Sequence, residues 1–268
     1  MKLGFIGYGN MASAIAKGLV SFNVIKNTDI YACARNYEKL KTNCAKLKIN
    51  ACQDSTSLIT QSDIVVIAVK PYQIASVVEP VKDLLSNKIV VSIAAGVYFE
   101  DYEKLLNENT PHLSTVPNTP ISTGKGIMIC EEKHSLNEEQ LNLFKEIFGK
   151  IALLEFVDTD HFSIAGTLSG CTPAFTAMYL EALSDAGVKY GLTRESSYRL
   201  AAKMIEGVGA LYLENKEHPG IMKDAVCSPG GTTIKGVSEL EKTGFRGSVI
   251  SAIDAIEKKE GIQNHLGF

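Results

Sequence analysis

Lys2-Leu3-Gly4-Phe5-Ile6-Gly7-Tyr8-Gly9-Asn10-Met11-Ala12 opens the chain, and its reading decides the fold. Leu3 to Ile6 is an apolar run of the size of a buried strand, and Asn10 to Phe22 carries apolar residues at helical spacing. Between them Gly7, Gly9 and Ala12 stand at the positions G-x-G-x-x-G/A. A glycine at the first position permits a tight turn. At the second, the missing Cβ lets a pyrophosphate approach the backbone, and a small third residue lets the helix pack close to the strand. The helix N-terminus then offers free N–H groups and a positive dipole end to the phosphates. Such a loop between a strand and a helix is a dinucleotide-binding fingerprint, so Ile6, Gly7, Tyr8, Gly9, Asn10 and Met11 are cofactor-binding candidates.

Outward from this loop, strand and helix patterns alternate. Asp29 to Cys33, Ile49 to Cys52, Asp63 to Val69 and Lys88 to Ile93 read as strands. Asn36 to Leu47, Tyr72 to Leu85 and Phe99 to Asn107 read as helices. Alternation at this spacing means βαβ units and a parallel sheet. Ile64 to Val69 and Ile89 to Val91 are apolar without alternation, which suits strands covered on both faces. His112 to Val116, Gly126 to Cys130 and Ala152 to Val157 extend the sheet. Beyond Val157 strand signals stop, and Asp158 to Ala186, Arg194 to Asn215, Thr232 to Lys242 and Phe245 to Lys259 read as helices. The expected fold class is α/β, a doubly wound Rossmann-type sheet over residues 1–157 followed by an all-helical domain over 158–268.

Strand ends supply the remaining cofactor candidates, because open α/β sheets bind ligands at the carboxyl edge. An acid about 20 residues past the loop would hydrogen-bond the ribose 2′-hydroxyl of NAD. Ala34-Arg35-Asn36 has no acid there, and the Arg35 guanidinium suits a 2′-phosphate. NADPH is therefore the favoured cofactor, with NADH left open. Ala68-Val69-Lys70-Pro71 ends the next strand, where Pro71 turns the chain outward along the cofactor. Ala94-Ala95-Gly96 is small enough to leave room for a nicotinamide.

Composition narrows the class. Lys and Arg number 27 and Asp and Glu 30 in 268 residues, so a net charge of −3 leaves no electrostatic footprint for nucleic acid or an anionic membrane. No apolar run approaches the ~18 residues that span a bilayer. Glycines and Asn10 interrupt any signal-peptide core at the N-terminus. The six cysteines form no C-x-x-C pair and read as reduced, mostly buried thiols of a cytoplasmic protein. No His or carboxylate pattern has metal-ligand spacing, so no metal is expected.

A second site lies at Ser228-Pro229-Gly230-Gly231-Thr232-Thr233, ahead of a helical pattern at Ile234, Val237 and Leu240. Glycines followed by hydroxyl residues at a helix start make a backbone nest for an anion such as a carboxylate. A plain helix cap would need a single Ser or Thr.

With these segments in view, the chain resembles the pyrroline-5-carboxylate reductase family. The resemblance is carried by Ile6-Gly7-Tyr8-Gly9-Asn10-Met11, Val69-Lys70-Pro71 and Pro117-Asn118-Thr119-Pro120. It is also carried by Asp185 to Leu192, His218-Pro219, Gly244-Phe245-Arg246 and, most specifically, Lys223 to Ile234. The resemblance implies reduction of 1-pyrroline-5-carboxylate, a cyclic imine, to L-proline with NAD(P)H, the last step of proline biosynthesis. It also implies a helical domain that interlocks two subunits, with dimers assembling further into a decamer of five. By the same resemblance Thr233 hydrogen-bonds the substrate ring nitrogen and is the catalytic candidate. Ser228, Gly230, Gly231 and Thr232 hold the substrate carboxylate, and Asn118 to Pro120 form a turn beside the nicotinamide.

One departure stands out. The family reads Ser-Gly-Ser-Gly-Pro-Ala-Tyr where this chain has Ser169-Gly170-Cys171-Thr172-Pro173-Ala174-Phe175, and Cys171 is expected to be a buried, inert thiol. Two rivals fare worse. A β-hydroxyacid dehydrogenase needs a lysine on its long helix, and no lysine lies between Lys150 and Lys189. A non-catalytic NADP sensor leaves the second-domain nest without a purpose.

Overall fold

The computed structural model describes residues 1–258. The chain begins with β1 (Leu3–Ile6), α1 (Asn10–Ser21), β2 (Ile30–Cys33), α2 (Tyr37–Leu47), β3 (Asn50–Ala51), α3 (Ser55–Gln61) and β4 (Ile64–Ile67). It continues through α4 (Ile74–Val78), α5 (Lys82–Leu85), β5 (Ile89–Ser92), α6 (Phe99–Leu105), β6 (His112–Pro117), β7 (Gly126–Glu131), α7 (Glu138–Phe148) and β8 (Ala152–Val157). Helices α8 (Thr159–Gly170), α9 (Thr172–Lys189), α10 (Arg194–Asn215), α11 (Pro219–Ala225), α12 (Thr232–Lys242) and α13 (Phe245–Glu257) follow. The strands form one sheet in the order β3-β2-β1-β4-β5-β6-β7-β8. All neighbours are parallel except β6 and β7, which are joined antiparallel through the turn at Thr119–Thr123. The first six strands have the Rossmann order 3-2-1-4-5-6.

The sheet is covered on both faces because successive side chains of a strand point to opposite sides. Leu3, Phe5, Ile64, Val66 and Val91 enter one buried cluster, while Ile6, Val65, Ile67 and Val90 enter the other. This is why β4 and β5 read as unbroken apolar runs.

Helix boundaries follow backbone chemistry. Asn36 caps α2 by accepting from the Lys39 N–H, and Asn137 and Gln140 form a capping box on α7. The single helix expected over Tyr72 to Leu85 is broken into two short helices, α4 and α5, separated by a 3-10 turn at Glu79–Val81. Pro80 lies in that turn and has no N–H to donate. The helix expected from Asp158 to Ala186 is likewise two, α8 and α9, with Pro173 in the first turn of the second. Periodicity does not pick out α3, α7 or α11. Lys259, the last residue of the expected final helix, lies outside the described residues.

The described chain divides into two compact units, Met1–Gly170 and Cys171–Lys258. Helix α8 belongs to the first, where it packs on β6, β7 and β8. In the second, α9 and α10 form the main helix pair. They approach closely at Gly187, where a Cβ would lie 2.4 Å from Ser197 Oγ. Arg194 joins the pair through Asp185 (2.6 Å) and Ser184 (2.9 Å).

Candidate active site

Register builds the glycine loop. Ile6 ends β1 between Cys33 of β2 and Ile67 of β4, so all three strands stop at one level. The Gly7 N–H donates to the Cys33 carbonyl at 2.9 Å, and the Ala68 N–H to the Ile6 carbonyl at 2.8 Å. Gly7 has φ +92°, and a Cβ there would lie 2.7 Å from the Ala68 carbonyl oxygen. Only glycine fits that position. Gly9 is the N-cap of α1 and differs in kind: its backbone is ordinary, and a Cβ would meet nothing within 4 Å. No side chain caps α1, and its first turn has no acid, so its leading N–H groups face open space above Gly9. A pyrophosphate would fill that space on the helix's positive end.

The loop forms one wall of a cleft of about 940 Å³. Ile6, Gly7, Gly9, Asn10 and Met11 line it, as do Ala34 and Arg35 at the end of β2. Ala68, Val69, Lys70 and Pro71 line it after β4, and Ala94 after β5. Arg35 is exposed and makes no ion pair among the described residues. Four expected cofactor residues are not among the lining. Tyr8 turns its ring into the core against Phe5, where burial pushes its phenol up to about 12. The Asn36 side chain is committed to capping α2. Gly96 has φ +76° just beyond Ala95, which does line the cleft. Asn118 is buried, with Nδ2 donating to the Ser169 carbonyl (2.9 Å) and Oδ1 accepting from the Ile127 N–H (2.8 Å). It fixes the turn that sets its neighbour Thr119 at the cleft.

Sequence reasoning missed Gln53, Asp54 and Ser55, and also Gln73, Val77 and Ile93, whereas Thr119 lies in the expected turn from Asn118 to Pro120. The first three follow β3, a strand of two residues whose end is hard to see in sequence. A legible signal was the cap Asp54-Ser55-Thr56-Ser57, in which Asp54 accepts from the Ser57 N–H at 2.7 Å. That bond holds the Asp54 carboxyl below its ordinary range. Cys33 faces Ser55 Oγ at 3.7 Å, and burial pushes its thiol up, so it is not an activated nucleophile.

The second group of candidates lies in the other unit. Gly230 has φ +70°, a backbone that favours glycine, and the Gly231 N–H donates to the Ser228 carbonyl at 3.0 Å. Gly231, not a hydroxyl residue, is the N-cap of α12, and no side chain bonds the first turn. Thr232 and Thr233 are the first two helical residues, both exposed. The tight turn thus delivers Ser228, Gly230, Gly231, Thr232 and Thr233 together beside the free N–H groups of α12, a nest suited to a carboxylate.

In the same unit Met178, Leu200, Leu211 and Leu213 are 48–69% exposed. Cys171, expected to be buried, is exposed at the start of α9, because the chain breaks there instead of running on as one helix. None of the six cysteines is in a disulfide. Among the described residues no helix is long and apolar enough to cross a membrane.

Comparison with known proteins matches two family models along the chain. Residues 159–261 match the family model described as pyrroline-5-carboxylate reductase dimerisation, and residues 2–96 match one described as NADP oxidoreductase coenzyme F420-dependent. The pyrroline-5-carboxylate reductase of Treponema pallidum is 42% identical over 259 residues, covering 95% of this chain and 98% of the relative. The enzyme of that name from Escherichia coli is 34% identical over 265 residues, covering 97% of each. The crystal structure of Plasmodium falciparum pyrroline carboxylate reductase with NADP bound superposes with a TM-score of 0.84 at 31% identity over 95% of both chains. With similarity running through both units at this level, the chain belongs to the pyrroline-5-carboxylate reductase family.

Proposed function

We propose that this protein reduces 1-pyrroline-5-carboxylate to L-proline with NADPH as the favoured cofactor, closing proline biosynthesis. The observation that carries the reading is the uncapped N-terminus of α12 behind the Gly230-Gly231 turn, in a chain that also holds a glycine-loop cleft. The division of labour follows the two expected domains. Residues 1–157 hold the cofactor, and residues 158–268 bind substrate and pair the subunits.

The cleft fits a dinucleotide by its own geometry. Gly9 leaves room for the pyrophosphate against the free N–H groups of α1. Arg35 is an unpaired fork for a 2′-phosphate, and Ala94 and Ala95 leave space for a nicotinamide. Lys70 and the backbone from Ala68 to Pro71 run along the same wall. Tyr8, Asn36, Gly96 and Asn118 serve through the backbone or by shaping the wall, since Tyr8, Asn36 and Asn118 have their side chains engaged elsewhere. Bound there, NADPH supplies a hydride to the imine carbon.

The chain's own residues do the rest by positioning. The N–H groups around Gly231 hold the substrate carboxylate, with Ser228, Gly230 and Thr232 shaping the nest. The Thr233 hydroxyl hydrogen-bonds the ring nitrogen while that atom passes from iminium to amine. No general acid with a shifted pKa is required, because the protonated imine is already a good hydride acceptor.

The chain works as a homo-oligomer. The apolar side chains that α9 and α10 leave exposed are the surface a second copy covers, and the decamer of five dimers is the family assembly we propose. Free thiols at Cys33, Cys44 and Cys130 suit the reducing cytoplasm. The test is a steady-state assay of NADPH oxidation with pyrroline-5-carboxylate, repeated with NADH. Turnover that is faster with NADPH supports the reading, and no imine-dependent oxidation of either cofactor overturns it.

A further inference from the structure

The cleft assigned to the cofactor holds an acid close to the cation that reads the phosphate. Arg35 follows β2 and Asp54 follows β3, and these strands are paired in register, Tyr31 with Asn50 and Ala32 with Ala51. The pairing continues past the strand ends, where the Cys52 N–H donates to the Ala32 carbonyl at 2.8 Å. Two adjacent strand ends thus bring Arg35 and Asp54 to one cleft wall, and both line it.

Asp54 is anchored there. Its Oδ1 accepts from the Ser57 N–H at 2.7 Å, and its carbonyl accepts from the Ser57 hydroxyl at 3.0 Å. The cap bond fixes the exposed carboxylate at the start of α3. Neither Asp54 nor Arg35 makes an ion pair among the described residues, so each charge acts on whatever enters the cleft.

We infer that Asp54 is a specificity-determining residue that opposes the 2′-phosphate of NADPH and so limits the preference for NADPH that Arg35 creates. The inference rests on the cofactor reading above. A phosphate monoester carries about −1.5 to −2 charge at neutral pH. A carboxylate on the same wall repels it, whereas toward NADH it faces only ribose hydroxyls, from which it accepts hydrogen bonds. The cleft therefore keeps NADH competitive. In water the repulsion between such like charges corresponds to about a fivefold change in affinity at low salt, shrinking as ionic strength rises.

Asp54→Asn tests this, because Asn is as good an N-cap as Asp and only the charge is lost. Asp54→Ser is a second neutral variant that keeps a cap. The purified full-length protein is titrated by fluorescence with NADPH and NADH, and by calorimetry with 2′,5′-ADP and 5′-AMP, which report the phosphate contact without turnover. In both variants the NADPH-to-NADH and 2′,5′-ADP-to-5′-AMP affinity ratios should rise about fivefold at low salt and by less at high salt. Unchanged ratios, with NADPH still bound by the wild type, overturn the role of Asp54 and leave the cofactor reading intact. A wild type that binds none of the four probes overturns the cofactor reading and this inference together.

Discussion

Gly7 and Ala68 sit so close that a Cβ on the glycine would lie 2.7 Å from the alanine carbonyl oxygen. That approach joins the β1 loop to the end of β4 and leaves no room for a side chain. Gly7→Ala should therefore destabilise the fold by about 1–3 kcal/mol, since its φ of +92° is also strained for alanine. Gly9→Ala should leave the melting temperature near wild type, because a Cβ there meets nothing within 4 Å, yet weaken NADPH binding by crowding the phosphates. Thermal melts beside NADPH titrations separate the two effects. Equal melting temperatures would contradict the steric account.

Arg35→Ala should weaken NADPH roughly ten- to a hundredfold, the loss of a charge-assisted contact of about 1.5–3 kcal/mol, and leave NADH nearly as it was. Dissociation constants for both cofactors decide it. A parallel loss for both means that Arg35 does not read the 2′-phosphate.

Thr233→Ala should lower turnover about tenfold or more while NADPH affinity stays near wild type, and Thr233→Ser should restore much of the rate. Thr232→Ala should do less harm. The measurements are kcat and kcat/KM for pyrroline-5-carboxylate beside an NADPH titration. An unchanged kcat would show that Thr233 is structural.

Glu131 is fully buried at the end of β7, and one of its oxygens accepts from the Phe99 N–H (2.7 Å) at the start of α6. The other accepts from Thr159 Oγ1 (2.6 Å) at the start of α8. One carboxylate thus holds two helix starts. Glu131→Ala strands both donors and should cost about 2–4 kcal/mol, measured by urea unfolding. A loss below about 0.5 kcal/mol, the scale of an ordinary surface substitution, would show that water replaces the carboxylate freely.

Burial raises the Cys44 thiol to about 11 and the Tyr8 phenol to about 12, from ordinary values near 9 and 10. Both groups are neutral in the folded core and ionise more readily once unfolded. The stability they contribute is complete below pH 9 and lost as pH rises toward 11 and 12. Cys44→Ala should flatten the fall in stability between pH 9 and 11, read from urea midpoints across that range. An unchanged slope would assign the alkaline loss to other groups.

The local pattern was enough for much of this protein. The loop from Gly7 to Ala12, the apolar runs of β4 and β5, and the Ser228 to Thr233 turn are short-range features, dictated by glycine conformations and by periodicity within single segments. Helix continuity was less legible, because Pro80 and Pro173 break helices whose apolar spacing runs through them. Only the tertiary structure decided which strand ends meet. Parallel pairing of β2 with the two-residue β3 brings Asp54 and Ser55, distant in sequence from Arg35, into its cleft. Tertiary packing also turns Tyr8 inward against Phe5 and commits Asn118 to the Ser169 and Ile127 backbones, although both residues stand inside motifs. A motif specifies a backbone path, but where a side chain points depends on neighbours that sequence spacing does not encode.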